Sequence, residues 1–328
     1  MASPPSHVPS LNAGGLGLKD RIRLIGPPAV LLALVALVTA TESNFLSVNA
    51  LSVVSSQAVP ILLLGLGQMF VILTGGIDLS VAALASLATV VLASTISTFG
   101  AAAMVITLVA FGVIGAITGA LIVFGQVPSF VVSLGALGFW GAVAMAISGS
   151  TTIYISEGYD SIFWLSSWTV LGLPLAVWIT VAIVAVIFVA MRFSSRGNIF
   201  HVIGFGETAA LMSGVRSRLV RVAAFSLSGI FAASAGIVLS SQQQSAAPQL
   251  ADSLLLPAIA AVLVGGCAIT GGIGGAWRVL VGALIVTVLR VGGSVAGIDP
   301  SYQQIVYGAV VVIAVLLTLD RSKLSIIK

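Results

Sequence analysis

The residues of this chain best suited to chemistry lie in the segment 65–84, GLGQMFVILTGGIDLSVAAL, where Gln68, Asp78 and Ser80 surround a Gly-Gly pair. An ionised carboxyl group at the centre of a membrane costs about 2.5–3.5 kcal/mol on insertion scales and is usually functional. Asp78 also opens a new apolar run, where an aspartate can cap the backbone N–H groups of a helix start. Asp78 could therefore have a role in transport or cap a helix. The two roles are compatible if the helix is broken at the Gly-Gly pair and the break lines a pathway.

The other reactive side chains do not form a catalytic or metal site. An intramembrane hydrolase needs paired aspartates or a serine with a histidine. Asp78 has no second carboxylate within the membrane segments, and His7 and His201 lie outside them. No GxxxxGK[ST] phosphate loop occurs, so the chain cannot use ATP in the P-loop manner. The single cysteine, Cys267, cannot form an intrachain disulfide. We therefore predict no catalytic residue, no metal site and no cofactor bound by this chain.

Composition indicates the class of protein. Hydrophobic residues make up 59% of the 328 residues and charged residues only 7%, whereas soluble domains carry about 25% charged residues. The net charge of +4 fits basic edges of membrane segments, and no interleaving of aromatic and basic residues indicates a nucleic-acid partner. The 36 glycines are typical of closely packed transmembrane helices. The sequence predicts an all-α polytopic membrane protein in contact with lipid.

A transmembrane helix needs about 20 apolar residues to cross the membrane, and by this length criterion the sequence predicts ten transmembrane helices. With both termini in the cytoplasm, 12 of the 13 Lys and Arg residues lie on the cytoplasmic side, Arg290 being the exception, as the positive-inside rule requires. The predicted permease domain covers residues 24–320, between a disordered cytoplasmic tail at 1–23 and a second cytoplasmic tail at 321–328. The spans cover residues 24–40, 49–74, 77–98, 101–124, 128–148, 174–191, 219–240, 254–270, 276–293 and 302–319.

The segment 192–218 is the clearest cytoplasmic landmark. Five arginines lie within residues 191–221, and basic loops beside membrane spans are retained in the cytoplasm. The stretch GETAALMSG, which begins at Gly206, has the composition of a short helix. We interpret it as the surface that meets a soluble partner.

These motifs resemble those of one transporter family. GQMFVILTGGIDLS looks like the signature of the permease subunits of ATP-binding-cassette importers for monosaccharides, the ribose, xylose, arabinose and galactose class. GFGETAALMSGV is similar to the coupling segment of that family, and AIAAVLVGGCAITGGIGG with VGALI resembles its glycine-rich C-terminal region. The similarity runs from about residue 61 to residue 319. The chain departs from the family pattern at Gly204-Phe205-Gly206, at Val81-Ala82-Ala83 and at Arg278.

The resemblance implies a transport subunit in the bacterial inner membrane rather than an enzyme. ATP would be bound by a separate cytoplasmic ATPase subunit, which would act on the coupling loop 192–218. An exterior or periplasmic binding protein would deliver the sugar. A second permease, either a copy of this chain or a paralogue, would complete the pathway. Within the coupling loop, the residues implied to couple to the ATPase are Gly204, Glu207, Ser213 and Gly214.

A neutral sugar needs a passage lined by uncharged hydrogen-bonding groups. Gln68, Ser80, Ser133 and Gln242 are candidates, together with Asp78, although each could equally satisfy neighbouring backbone groups. The alternative within the same class is an importer of branched-chain amino acids or another small polar solute, but a zwitterion would favour paired charges in the passage. An ion-coupled secondary transporter would need ionised groups in mid-membrane, and only Asp78 and Arg290 come near that position.

Overall fold

The structure is a computed structural model that describes residues 18–206, 210, 212, 214–297 and 299–318. This part of the chain is mostly helical, as predicted. The predicted tail at 1–23 lies largely, and that at 321–328 wholly, outside the described residues. The α-helices of the described residues are α1 (Leu18–Thr41), α2 (Val48–Leu73), α3 (Val81–Phe99), α4 (Ala102–Gly125), α5 (Ser129–Ser148), α6 (Asp160–Ser167), α7 (Leu175–Phe193), α8 (Ser195–Phe205), α9 (Ser217–Gln243), α10 (Leu255–Val264), α11 (Ala276–Val295) and α12 (Pro300–Thr318).

Within the described residues, seven helices are long and apolar enough to cross a membrane, namely α2, α3, α4, α5, α7, α9 and α11. Three shorter apolar segments, Ile25–Thr41, Asp252–Val264 and Tyr302–Ile313, fall where the other three spans were predicted. The fold is therefore that of a polytopic helical membrane protein. Two predicted spans are interrupted by turns: α3 begins at Val81 rather than at residue 77, and α10 ends at Val264, before a Gly-Gly pair.

Helix α2 lies at the centre of the bundle. It packs against α7, α9, α10 and α11, and every residue from Ala58 to Leu73 is buried. A helix that is apolar on all sides is stable in such a position, since no face of it meets water. The polar exception in this stretch is Gln68, which is fully buried and belongs to the candidate site.

Helix α9 crosses α4 at close range because glycines line the crossing. A Cβ atom at Gly115 would overlap the carbonyl group of Phe225, and one at Gly229 would overlap that of Phe111. Small residues permit this approach, which matters in lipid because packing replaces the hydrophobic effect as the force between helices. Ser226 Oγ adds a hydrogen bond of 2.8 Å to the carbonyl oxygen of Gly112. The crossing fixes the position of α9 and of the site residue that it carries.

Helices α5 and α7 lie at the periphery. Only 11% of the most apolar stretch of α5 and 22% of that of α7 are buried. The exposed side chains of α5 include Phe130, Leu134 and Phe139. Such a surface is stable only against lipid or an apolar partner.

The two ends of the bundle differ in charge. The arginine end, as we call it, carries Arg192, Arg218 and Arg221 and the turns at 74–76 and 125–128. The opposite, acidic end carries Glu42, Asp160 and Asp252 and short strands. Here β1 (Ile153–Tyr154) pairs antiparallel with β4 (Ser245–Ala246), and β2 (Thr169–Val170) pairs antiparallel with β3 (Leu173–Pro174).

Helix α6 lies at the acidic end, in the connection between α5 and α7. Tyr159, which precedes it, donates a 2.6 Å hydrogen bond to the carbonyl oxygen of Ser241 on α9. Trp168, which follows it, is 64% exposed. Aromatic rings with a polar edge suit the level of the membrane interface, and the aromatic residues that flank α6 fit a position at one membrane surface.

Candidate functional site: a polar cluster at the helix break and its contact with α8

The carboxylate of Asp78 is buried among hydroxyl groups in the break between α2 and α3. It is 1% exposed. One oxygen, Oδ1, accepts hydrogen bonds from the backbone N–H of Ser80 (2.9 Å) and from Ser80 Oγ (2.6 Å). The other oxygen, Oδ2, accepts from Ser228 Oγ on α9 at 2.7 Å. Hydrogen bonds to a charged group contribute about 1.5–3 kcal/mol each, so this set offsets much of the cost of burying the carboxylate.

Gln68 on α2 supports the backbone of the same residue. With its amide nitrogen facing the break, Gln68 donates to the carbonyl oxygen of Asp78 (3.0 Å) and accepts from the N–H of Asp78 (3.3 Å). A single amide thus satisfies both backbone groups of a residue that lies outside any helix. Since unpaired buried backbone groups are costly in lipid, Gln68 stabilises the broken conformation.

The start of α5 holds the neighbouring residue, Ile77, from the other side. The N–H of Ile77 donates to Ser129 Oγ at 3.1 Å, and Ser133 Oγ donates to the carbonyl oxygen of Ile77 at 3.3 Å. Ser133 is fully buried. Three helices, α2, α5 and α9, therefore hold the segment 76–80 by polar side chains, directly before α3 begins.

The structure brings together four of the five predicted pathway residues, Gln68, Asp78, Ser80 and Ser133. All four are buried in this conformation and contact the broken segment rather than an open channel. Ser228 is a fifth member that sequence reasoning missed. It lies 150 positions after Asp78 in an ordinary run of small residues, and no local signal pairs it with a carboxylate.

Gln242 lies apart from this cluster, at the acidic end. Its Nε2 donates to the carbonyl oxygen of Ser56 at 2.9 Å. Gln242 lines a cavity of about 250 Å³ between α2, α9 and α11, together with Gln57, Gln243, Ser253 and Arg290. The amide, hydroxyl and guanidinium groups of this cavity can donate to and accept from the hydroxyl groups of a neutral polar solute.

Two Thr-Gly-Gly-Ile turns meet at the arginine end of α2. The first, 74–77, follows α2, and the second, 270–273, precedes α11. The N–H of Gly272 donates to the carbonyl oxygen of Leu73 at 3.0 Å, and a Cβ atom at Gly271 would lie 3.1 Å from the backbone nitrogen of Gly75. The repeated motif thus forms one joint between the two halves of the chain, which we call the glycine joint.

Helix α8 sits directly on the glycine joint. The ring nitrogen Nδ1 of His201 donates to the carbonyl oxygen of Gly272 at 2.9 Å. A Cβ atom at Gly204 would overlap both the carbonyl oxygen of Leu73 and the nitrogen of Gly272. Only glycine allows α8 to approach the joint this closely.

Aromatic side chains extend the contact from α8 into the core. Phe200 packs edge-on against Phe70 of α2 with ring centroids 5.0 Å apart. Phe70 in turn stacks on Phe231 of α9 at 6.2 Å. Phe231 lies one helical turn from Ser228 on α9. Close-packed rings therefore connect α8 to α9, the helix whose Ser228 donates a hydrogen bond to Asp78.

Of the four predicted coupling residues, Gly204 lies at the glycine joint. Gly214 is exposed, with a φ of +75°. Glu207 and Ser213 lie outside the described residues, as does most of the predicted helix that begins at Gly206. In the described part of the chain, no group of three or more His, Cys, Asp and Glu side chains is arranged to hold a metal ion.

Comparison with known proteins gives consistent matches over most of the chain. The family described as the branched-chain amino acid transport system permease component matches residues 50–315. The ribose import permease of Escherichia coli strain K12 is 32% identical over 87% of this chain and 90% of its own length. The ribose import permease of Bacillus subtilis is 34% identical over 91% and 93%. The D-allose transport permease of Escherichia coli strain K12 is 27% identical over 84% and 85%. No solved structure shows a significant match.

Proposed function

We propose that this chain, which belongs to the family of branched-chain amino acid transport system permease components, forms the membrane pathway of an ATP-driven importer for a monosaccharide. The chain aligns over most of its length with permeases named for ribose and allose. The permease is a transport subunit, and hydrolysis of ATP belongs to a partner. The close contact of α8 with the glycine joint is the observation that supports coupling of the permease to an ATPase.

The acidic-end cavity favours a sugar over an amino acid. Three glutamines, Gln57, Gln242 and Gln243, line it with Ser253 and Arg290. Amide groups both donate and accept hydrogen bonds, as sugar hydroxyl groups do. A branched-chain amino acid would favour a carboxylate that balances the charge of its ammonium group. The described residues that line the cavity include no acidic one.

We place the arginine end in the cytoplasm and the acidic end outside, with ten spans and both termini inside. The positive-inside rule supports this orientation, since Arg192, Arg218 and Arg221 lie at one end. The three shorter apolar segments would complete the ten spans with the seven longer ones. The exterior binding protein would then dock at the acidic end, close to the glutamine-lined cavity.

The ATPase would act through α8 and the segment that follows it. Nucleotide-driven closure of the ATPase would displace α8, and α8 contacts the glycine joint through His201 and Gly204. Close-packed cores shift between discrete arrangements rather than deforming continuously. Movement of the joint would therefore move the end of α2, and through Phe70 and Phe231 it would reach α9.

Asp78 lies where this movement would open the pathway. The segment 76–80 is held by α2, α5 and α9 at once, so displacement of α2 relative to α9 must alter the hydrogen bonds of the cluster. Gln68, Ser80 and Ser133 would then exchange their present partners for sugar hydroxyl groups. The same residues would hold the segment 76–80 in the closed state and line the pathway in the open state.

A second permease would pack on α5. This helix exposes Gly135, Gly138 and Gly141, each with open space beside it, and its apolar stretch is the least buried of the seven spanning helices in the described part of the chain. The cavity beside it is lined by Ala82, Ala83 and Asp252, close to the Asp78 segment. A pathway between two permeases would thus run beside the polar cluster.

Reconstitution tests the proposal. Vesicles containing the permease, its ATPase and its binding protein are expected to accumulate labelled ribose or allose only when ATP is supplied to the ATPase side. Labelled leucine tests the amino-acid alternative in the same vesicles. Uptake of leucine but not of either sugar would reject the substrate assignment, and uptake by the permease alone on a proton or sodium gradient would reject the importer class.

A further inference from the structure

A polar cavity at the arginine end has no role in the proposed transport cycle. It has a volume of about 450 Å³ and lies between the α4–α5 turn and the start of α9. Arg218 and Arg221, one turn apart on α9, line one side, and Gln126 lies in the turn. Among the described residues that line this cavity, none is acidic. A concave space lined by two arginines favours an anion, because a guanidinium group offers N–H donors in a geometry that suits a phosphate.

The rest of the lining is apolar. Ile122, Val123 and Val127 come from the end of α4 and its turn, and Phe225 lies one turn after Arg221 on α9. A free phosphate ion would gain nothing from these side chains. A molecule with a phosphate group and a hydrocarbon chain would use both sides of the cavity, because its chain can pack against these apolar side chains.

The position of the cavity fits the edge of a membrane. α4 ends at Gly125, α5 begins at Ser129 and α9 begins at Ser217, so the arginines lie where spanning helices leave the apolar layer. Basic pockets between transmembrane helices at this level bind the headgroups of anionic lipids. Arg218 is exposed and Arg221 is half-buried, so a headgroup can reach the side chain of Arg218 from the surrounding lipid or water.

We propose that this cavity binds an anionic phospholipid, with the phosphate held by Arg218 and Arg221 and an acyl chain against Ile122, Val123 and Phe225. Thr74, Gly75 and Gly76 line the same cavity. A bound lipid would therefore contact the first Thr-Gly-Gly-Ile turn and stabilise it in the present conformation.

The test measures binding of phosphatidylglycerol by the purified full-length permease in complex with its ATPase, in detergent with phosphatidylcholine as background lipid. The readouts are the number of retained phosphatidylglycerol molecules by native mass spectrometry and the rise in melting temperature on titration. Arg218→Gln is expected to weaken binding about fivefold, as one arginine near a membrane surface contributes about 1 kcal/mol. Arg218→Lys, which keeps the charge, should stay within about twofold and separates loss of charge from misfolding.

Arg192→Gln is the matched control, because Arg192 is exposed at the same end but lines a different cavity. Its binding of phosphatidylglycerol should equal that of the wild type. Equal binding by the Arg218→Gln variant and the wild type would overturn the proposal. So would an equal rise in melting temperature with sodium phosphate at the same concentration, since the site would then hold a free anion rather than a lipid.

Discussion

The carbonyl oxygen of Leu73 accepts the N–H of Gly272 at 3.0 Å, and this hydrogen bond joins the end of α2 to the turn before α11. Helix α8 rests on that bond through His201 and Gly204. A displacement of α8 would therefore act on both Thr-Gly-Gly-Ile turns of the glycine joint at once.

The first prediction concerns the hydrogen bond of His201. His201→Leu removes the donor to the Gly272 carbonyl oxygen, and we expect ATP-driven uptake to fall about tenfold, since a half-buried acceptor loses its partner at a cost of about 1–3 kcal/mol. His201→Asn places an amide N–H near the position of Nδ1 and should restore most of the uptake. Equal uptake by the Leu and Asn variants would show that the hydrogen bond has no role. Uptake in vesicles at equal permease content is the measurement.

The second prediction concerns the Asp78 cluster. Ser228→Ala removes the donor to Oδ2 of Asp78, and we expect it to lower the free energy of unfolding by about 1–3 kcal/mol, because the buried carboxylate loses a partner. The matched control is Ser234→Ala on the same helix, whose hydroxyl bonds only to its own helix at Ile230. Thermal unfolding in detergent distinguishes them. A Ser234 variant as unstable as the Ser228 variant would contradict the role assigned to the cluster.

Sequence reasoning identified the membrane class and the broken segment at Asp78, but it could not identify which helices face lipid. Helices α2 and α5 are similarly apolar, yet 89% of the apolar stretch of α2 is buried and only 11% of that of α5. In water a polar face marks the exposed side of a helix. In a bilayer both the lipid-facing and the protein-facing sides are apolar, so the pattern carries no such information.

The partners of the cluster were unpredictable for a different reason. Asp78 and Gln68 stand close together in the sequence, whereas Ser228 and the second glycine turn lie far along the chain. Their contacts depend on helix crossings such as that of Gly115 with Gly229, which glycine content indicates only in general terms. The Thr-Gly-Gly-Ile motif occurs twice in the sequence, but nothing in the sequence indicates that the two turns touch.

The third prediction concerns the glutamine-lined cavity at the acidic end. Gln57→Leu or Gln243→Leu removes hydrogen-bonding groups that would meet sugar hydroxyls, and we expect the half-saturating concentration of loaded binding protein or sugar to rise about fivefold or more. Asn49→Leu, at an exposed position in the first turn of α2, is the polar-to-apolar control at the same end. Transport assays over a range of sugar concentrations give the comparison. No change for either glutamine variant would remove the cavity from the pathway.

The fourth prediction concerns orientation in the membrane. In a Cys267→Ser background, a cysteine in place of Met212, which is 87% exposed, should react with an impermeant thiol reagent only from the cytoplasm. A cysteine in place of Leu171, 83% exposed at the acidic end, should react only from outside. Ser217 also lies in the arginine-rich segment but is 2% exposed, so it is unsuitable for labelling. The reverse labelling pattern would invert the proposed topology.

The fifth prediction concerns Gly204, whose substitution by alanine would force α8 away from Leu73 and Gly272. Overpacking of this kind costs about 1–3 kcal/mol, so the protein should still insert and assemble. The ATPase should then hydrolyse ATP without moving the glycine joint. Gly308→Ala, with open space around the glycine, is the control and should behave as the wild type.

The ratio of sugar imported to ATP hydrolysed tests the central claim most directly. It is measured in vesicles that contain the permease, its ATPase and its binding protein. For Gly204→Ala we expect the ratio to fall at least tenfold below that of the wild type and of Gly308→Ala, while hydrolysis continues. A Gly204→Ala variant that imports sugar at the wild-type ratio would contradict transmission of the ATPase stroke through α8 and the glycine joint.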